Sequence, residues 1–487
     1  MKKLLSFPLS ILFLLFFNFS NSQATVQTVS SFDASATLKI GDQIDVILSF
    51  NAPVTVTGTP QLELETGLTD TKINYISGSG SPFITFRYTV VEGNTSSDLD
   101  YTSTSALTLN GGSINGPGNQ PASLTLPSPG ATGSLAGIGD DEKNFIVDGV
   151  KPTMTITASQ ISNGGGFTGN LSLTFTSSES TANFIVGDIT LSNGTLSSFS
   201  GSGTTYTATF APTAEGAATI DVNANAFTDS AGNGNSAATQ FSWTYDTTAP
   251  TNQNVVFANS VVDQGGDTIT IVSSGTASNQ IWFAPAGTSS FSAGATMTQA
   301  GSGTATSIAA PANEGTYYIY VIDQAGNVSS ASVATLTVDN TAPTNQNDVF
   351  PSAAFETVGG TVTIVSSGTA TNQVWIAPAG TSSFSAGATM TQATSGTSTS
   401  MLAPISSGTY YIYVIDQAGN VSSASSAALT VSIAGFTLSA NSGTVTEASG
   451  AATFTVVLDS RPDSNVVFAL QSADEGEATV SPATLTF

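Results

Sequence analysis

Between residues 247 and 339 the chain alternates apolar and polar positions in short runs, among them Thr268 to Val272, Gln280 to Ala284, Gly315 to Asp323 and Leu336 to Val338. β-Branched and aromatic side chains fill these runs, and clusters of Gly, Ser and Asn separate them. No apolar spacing of helical period competes with this pattern. A period of two sends alternate side chains to opposite faces of a sheet, one toward a core and one toward water. About seven such runs in about 90 residues predict an antiparallel β-sandwich.

The same pattern then recurs. Residues 247–339 align without a gap onto 340–432 at an offset of 93, with 68 of the 93 positions identical. Trp282 falls on Trp375, Met297 on Met390, and Gly315 to Tyr320 on Gly408 to Tyr413. Repetition at this period indicates stacked modules. A shared mark separates them: Asp148, Asp246 and Asp339 each stand four residues before a proline (Pro152, Pro250, Pro343), and each follows an apolar strand ending. Proline fixes φ and donates no hydrogen bond, so it suits a stiff step from one sandwich to the next. These marks divide the chain into an expected leader at 1–23 and modules at 24–148, 149–246, 247–339, 340–432 and 433–487. The last closes on Thr484 to Phe487 as an unfinished strand, from which a longer natural chain is expected.

Lys2, Lys3 and the apolar stretch Leu4 to Phe19 read as a secretory signal, with Ser20 and Ser22 spaced for cleavage before Gln23. Pro8 and Asn18 interrupt the stretch and argue against the alternative, an uncleaved anchor helix. The expected location is therefore secreted or cell-surface, with no membrane insertion of the mature chain. Charged residues are only 8% of the sequence, with 8 Lys+Arg against 33 Asp+Glu and a formal net charge of −25. Phosphate recognition needs clustered cations, so nucleic acid is excluded as a partner. With His 0 and Cys 0 there is neither an imidazole base, nor a thiol nucleophile, nor an N/S cage for zinc. Only a carboxylate pair of the glycosidase kind could support catalysis, and acids that recur with the repeat do not form one unique site. The chain is expected not to be an enzyme.

Several motifs carry family resemblances. In the third and fourth modules a Trp on a middle strand is followed by a Tyr-rich strand and then by Asp-Gln-Ala-Gly-Asn-Val-Ser. These two modules look like bacterial immunoglobulin-like or fibronectin type III-like repeats. The second module, with Thr205 to Phe210, Gly216 to Val222 and Phe227 to Asn233, resembles the Ig-like repeats of large bacterial surface adhesins. The first, with Phe50 to Val56 and Gly58 to Leu64, is similar to another repeat of such proteins. Val445 to Val456 looks like the start of a Calx-beta domain. The resemblance implies an all-β chain of tandem Ig-like antiparallel sandwiches joined by short proline-containing linkers. It is specific for module type and not for role, because sandwiches host many unrelated functions.

From Pro152 to Ser460 there is no Lys or Arg. Carboxylates there have no local counter-ion, and Ca²⁺ would satisfy several at once through oxygen ligands. The motif Asp-x-Ala-Gly-Asn occurs at Asp229 to Asn233, Asp323 to Asn327 and Asp416 to Asn420. It is placed between the last two strands of its module, at a pole that a junction acid such as Asp246 or Asp339 would approach. Asp229, Asn233, Asp246, Asp323, Asn327, Asp339, Asp416 and Asn420 are the candidate calcium ligands. The competing reading is a plain tight turn, in which Gly and Asn accept left-handed angles and Asp binds local amides. Ser432 stands where the repeat would place an acid, so one ligand set cannot serve every junction. Asp140-Asp141-Glu142 reads as a solvated loop. Glu447 and Asp474 to Glu477 lie where Calx-beta domains contribute calcium ligands. Trp282 and Trp375 are read as core residues packed between sheets, with a sugar-stacking platform as the alternative.

The combined expectation is an adhesin or its extended stalk, stiffened by calcium at domain ends, with an extracellular glycan or protein ligand. Ten-residue strands rising about 3.3 Å per residue give modules of roughly 33 Å, and five in line span on the order of 150 Å. The alternative is a string of carbohydrate-binding accessory modules from a larger secreted enzyme.

Overall fold

The computed structural model describes residues 23–137, 143–181, 183–439, 450–460, 462 and 464–487. The expected leader except Gln23, the run Asp140-Asp141-Glu142, and Glu447 lie outside the described residues. The chain divides into two compact bodies, one ending at Asp246 and the other beginning at Thr247. Apart from short helical turns, both are built of strands.

In the first domain the strand Gln43–Thr57 runs between Val26–Ser30 and Ser81–Thr89, and the sheet continues through Thr71–Ser77 and Gln61–Leu64 to Leu107–Thr108. Alternation decides which face is buried. In Ser81–Thr89, Ile84, Phe86 and Tyr88 are buried, and a one-residue slip of register would turn all three toward water. A smaller sheet pairs Phe145–Asp148 in parallel with Ala36–Leu38 and antiparallel with Thr95–Ser96. The strand Phe145–Asp148 brings Asp148 to the end of the domain.

The second domain faces a three-stranded sheet (Met154–Ala158, Leu171–Thr181, Gly194–Pro212) with a four-stranded one (Gly166–Phe167, Phe241–Tyr245, Gly216–Val222, Ile189–Ser192). Phe175, Phe210, Ile220 and Trp243 are buried in its core. Phe184 packs its ring within 6 Å of those of Phe175, Tyr206 and Phe227.

The two repeats of the second body fold alike. Each has a five-stranded sheet, with Gly315–Ile322 or Gly408–Ile415 at its centre, and a two-stranded one, Thr268–Thr270 with Ser307–Ala309 or Thr361–Thr363 with Ser400–Leu402. The strands read from alternation are present within about two residues at their ends. A single helical turn, Gln253–Val256 or Gln346–Val349, opens each repeat; four residues are too few to leave a periodic signal. Its amides bond across the sandwich: the Asn252 side chain donates to Ser274 O (2.9 Å) and that of Gln253 to Ser330 Oγ (2.7 Å). The Tyr317 hydroxyl donates to Asn313 O (2.8 Å) and that of Tyr410 to Ser406 O (2.9 Å), the tyrosine corner of immunoglobulin-type sandwiches. Burial pushes both phenols above their ordinary pKa.

Trp282 and Trp375 are buried, but not between the sheets. Ile281 and Phe283 occupy that core, so Trp282 points to the opposite face, beneath the loop that follows its strand. There it meets Phe291 (ring centres 5.8 Å apart), which in turn packs on Tyr320. The fourth domain repeats the arrangement with Trp375, Phe384 and Tyr413. At 5% exposure neither indole offers a free stacking face.

Among the described residues from 433 onward there are two short ladders, Phe436–Leu438 with Val456–Leu458 and Val467–Ala469 with Thr484–Thr486. None of these residues is buried.

Candidate functional site

The Asp-x-Ala-Gly-Asn segments are tight turns. Asp229 Oδ1 accepts the N–H of Gly232 (2.6 Å) and of Asn233 (2.8 Å), and its Oδ2 accepts from Asn233 Nδ2 (2.9 Å). The chain reverses through Gly232 at φ 96°, a left-handed angle that glycine adopts without a Cβ penalty. Asp323 with Asn327, and Asp416 with Asn420, make the same two Asp-to-Asn bonds at 2.9–3.0 Å. Gly326 and Gly419 each sit at φ 91°. Local physical chemistry therefore accounts for the spacing of the motif: one carboxylate collects the amides that the turn leaves unbonded.

The turns do not stop at their own domains. In the second domain Asn233 Nδ2 also donates to Asp148 O (2.8 Å), and Asn233 Oδ1 accepts from Ile40 N (2.9 Å). In the fourth, Asn420 Nδ2 donates to Asp339 O (2.9 Å). The junction residue met by each of these turns is thus the one that precedes its domain. Asp246 caps the strand Phe241–Tyr245 and donates its amide to Phe167 O, while the Asp339 carboxylate accepts from Thr341 N.

Among the described residues, one set of three carboxylates converges closely enough to share a single ion: Asp148, Glu179 and Asp229, with ligand oxygens within 4.8 Å of one another. Of the candidate ligands drawn from sequence, only Asp229 belongs to this set. Asp148 was legible only as a junction mark. Glu179 had one available signal, as the sole charged side chain in the strand Leu171–Thr181. Burial, then the charges of Asp148 and Asp229, push the Glu179 carboxyl above the usual range. The described ion pairs all engage first-domain acids: Asp42, Glu63, Asp45 and Glu92. Lys39 lies beside Gly232, but its ammonium is bonded to Asp42 (3.0 Å).

Three hard oxygen donors without a bonded cation suit Ca²⁺ and offer nothing to a soft metal. Asp229 already spends three lone-pair directions on amides, so Asp148 and Glu179 are the freer ligands. Beside Asp148, an open polar groove of about 550 Å³ runs past Glu65, Thr95 and Ser96. It lies largely open to solvent.

Residues 148–247 match the model of the bacterial Ig-like domain family, which bears out the resemblance read in the second module. No curated protein matches the chain in sequence. Among the solved structures similar to it are these two. The FN1–FN3 domains of chicken CNTN1 align at 11% identity and a TM-score of 0.27, over 65% of this chain and 99% of that one. Invasin, described as a bacterial integrin-binding protein, aligns at 10% identity and a TM-score of 0.22, over 88% of this chain and 82% of that one. Likenesses this slight place no function on the chain. The sheets define tandem β-sandwich domains, and the second of them matches the bacterial Ig-like family. Among the described residues no helix is long and apolar enough to cross a membrane.

Proposed function

We propose that this chain is part of an extracytoplasmic bacterial surface protein, an adhesin or its stalk, which works by reach and presentation. The observation that carries the reading is the tandem of near-identical sandwiches, 68 of 93 positions identical, following a module of bacterial Ig-like type. Two almost identical copies in series add length without adding a new site, which is what a spacer requires. A net charge of −25 with so few basic residues keeps such a chain from nucleic acid and anionic lipid.

Calcium at domain ends is part of the proposal. Asp148, Glu179 and Asp229 would hold the ion, which would supply positive charge to three carboxylates that none of the described ion pairs engages. Small-angle scattering of the chain in calcium and in chelator tests the reading. Calcium is expected to lengthen the maximum dimension and narrow its distribution; an unchanged profile refutes the calcium part. A compact particle in both conditions, or turnover of a polysaccharide, refutes the stalk.

A further inference from the structure

We propose that Asn233 and Asn420, which close the Asp-x-Ala-Gly-Asn turns of the second and fourth domains, are metal-independent latches, each docking its domain onto the preceding one by binding main-chain groups there. The evidence is clearest at Asn233, a side chain only 3% exposed. A primary amide has two N–H donors and one carbonyl acceptor. Asn233 gives one donor to its own Asp229 and the other to Asp148 O, and its carbonyl takes the Ile40 N–H. Two of these three bonds end on the first domain, at backbone groups 85 and 193 residues away in sequence. Aspartate at 233 could not donate, and an apolar residue would take this partner from the part-buried Ile40 N and Asp148 O.

The linker is built to receive this contact. Gly149 exchanges main-chain bonds with Gly93 and Asn94 of the first domain (2.9 and 2.8 Å), and Pro152 O accepts Ser236 N of the second (2.9 Å). A Cβ on Gly149 would lie 2.5 Å from Val91 O, so only glycine lets the linker lie this close. Lys151 bridges to Glu92 (2.9 Å). The junction between the third and fourth domains repeats the principle with different residues. Asn420 Nδ2 binds Asp339 O, Gln264 of the third domain lies beside Gly419, and Asn340 fixes the linker to Ala312 O and Gly265 N.

Since the latch binds a carbonyl, the identity of the junction residue is free. Asp148 and Asp339 contribute through their backbones, and Ser432, at the equivalent repeat position, presents the same acceptor type. The turn is therefore a portable docking surface, and its partner is the closing strand of another sandwich of this kind.

Hydrogen exchange by mass spectrometry on the full chain tests the latch separately from the calcium reading. Asn233→Ala is expected to speed exchange of the peptide carrying Ile40 about tenfold, in calcium and in chelator alike, while Leu171–Thr181 stays protected. Asp148→Ala is expected to leave Ile40 protected, because the carbonyl survives, even if it abolishes a calcium effect on scattering. Unchanged exchange in Asn233→Ala overturns the latch, as does loss of Ile40 protection in the wild-type chain when calcium is removed. If Asn233→Ala unfolds the second domain, Ile40→Pro removes the same bond from the first-domain side. The cross-junction amides of Gly93 and Gly149 then become the readout: faster exchange supports the latch, and no change overturns it.

Discussion

Asp229→Ala sets two effects of opposite sign against each other, and the structure indicates which is larger. The Asp229 side chain is 5% exposed and accepts three hydrogen bonds, from Gly232 N, Asn233 N and Asn233 Nδ2. Bonds to an ionised group contribute about 1.5–3 kcal/mol each, and three on one acceptor are not additive, so their loss costs about 3–4 kcal/mol. Against this, the substitution removes like-charge repulsion from Asp148 and Glu179 within 4.8 Å. At that separation a pair of charges repels by about 3.5 kcal/mol at an effective dielectric of 20 and about 1 kcal/mol in water. Both neighbours are partly exposed, so relief lies near the lower figure, about 1–2 kcal/mol in total. Bond loss wins, and the second domain should be destabilised by about 2 kcal/mol, which is roughly 10 °C for a domain of this size. The assay is pulse-labelling hydrogen exchange over a temperature series in chelator, following peptides from Leu171–Thr181 and Gly216–Val222. A midpoint equal to or above that of the wild-type chain would refute the reasoning, because repulsion and not the bonded turn would then dominate this pole.

The remaining expectations are more local. Glu179→Gln relieves the same repulsion without touching the turn, so it should stabilise the second domain by about 1 kcal/mol in chelator and weaken calcium binding in titration calorimetry. Trp375→Ala should cost about 3–5 kcal/mol, because it empties the packed layer under the loop that carries Phe384; faster proteolysis of that loop would be the local sign. Tyr317→Phe should cost about 1–2 kcal/mol by leaving Asn313 O without its donor, read as a lower unfolding midpoint of the third domain. Arg87 grips Asp45 through two bonds (2.8 and 2.9 Å) and holds its carboxyl below the usual range. Its folded pKa lies under the unfolded one, so this stabilisation is present above about pH 4 and is lost as pH falls through the folded value. The effect is small, because both side chains are more than a third exposed. Asp45→Asn should flatten the acid limb of a first-domain stability profile; an unchanged limb would show that the pair contributes nothing there.

Much of this molecule is legible in one dimension. Residue alternation placed the strands of the third and fourth domains, because burying one face of a sheet is a constraint each strand must meet by itself. The offset of 93 and the aspartate-to-proline spacing exposed the modular plan, and the left-handed turn at Asp-x-Ala-Gly-Asn follows from glycine and a short carboxylate acting over five residues. Trp282 and Trp375 were legible as buried, but their side of the sheet was not. That side depends on whether a loop folds back over the outer face, and a run of small residues such as Pro285 to Ser290 does not announce this.

The arrangement at the domain ends was decided only by tertiary structure. Glu179 meets Asp148 and Asp229 because two strand ends and a turn converge at the same pole. Asn233 meets Ile40 N and Asp148 O because a bonded linker holds the first and second domains together at this junction. Partners of this second kind are main-chain groups, which every residue but proline supplies in full, so residue identity leaves no trace of them. Local pattern can specify what each strand and turn becomes; which distant carbonyl a side chain finds depends on how the finished domains pack.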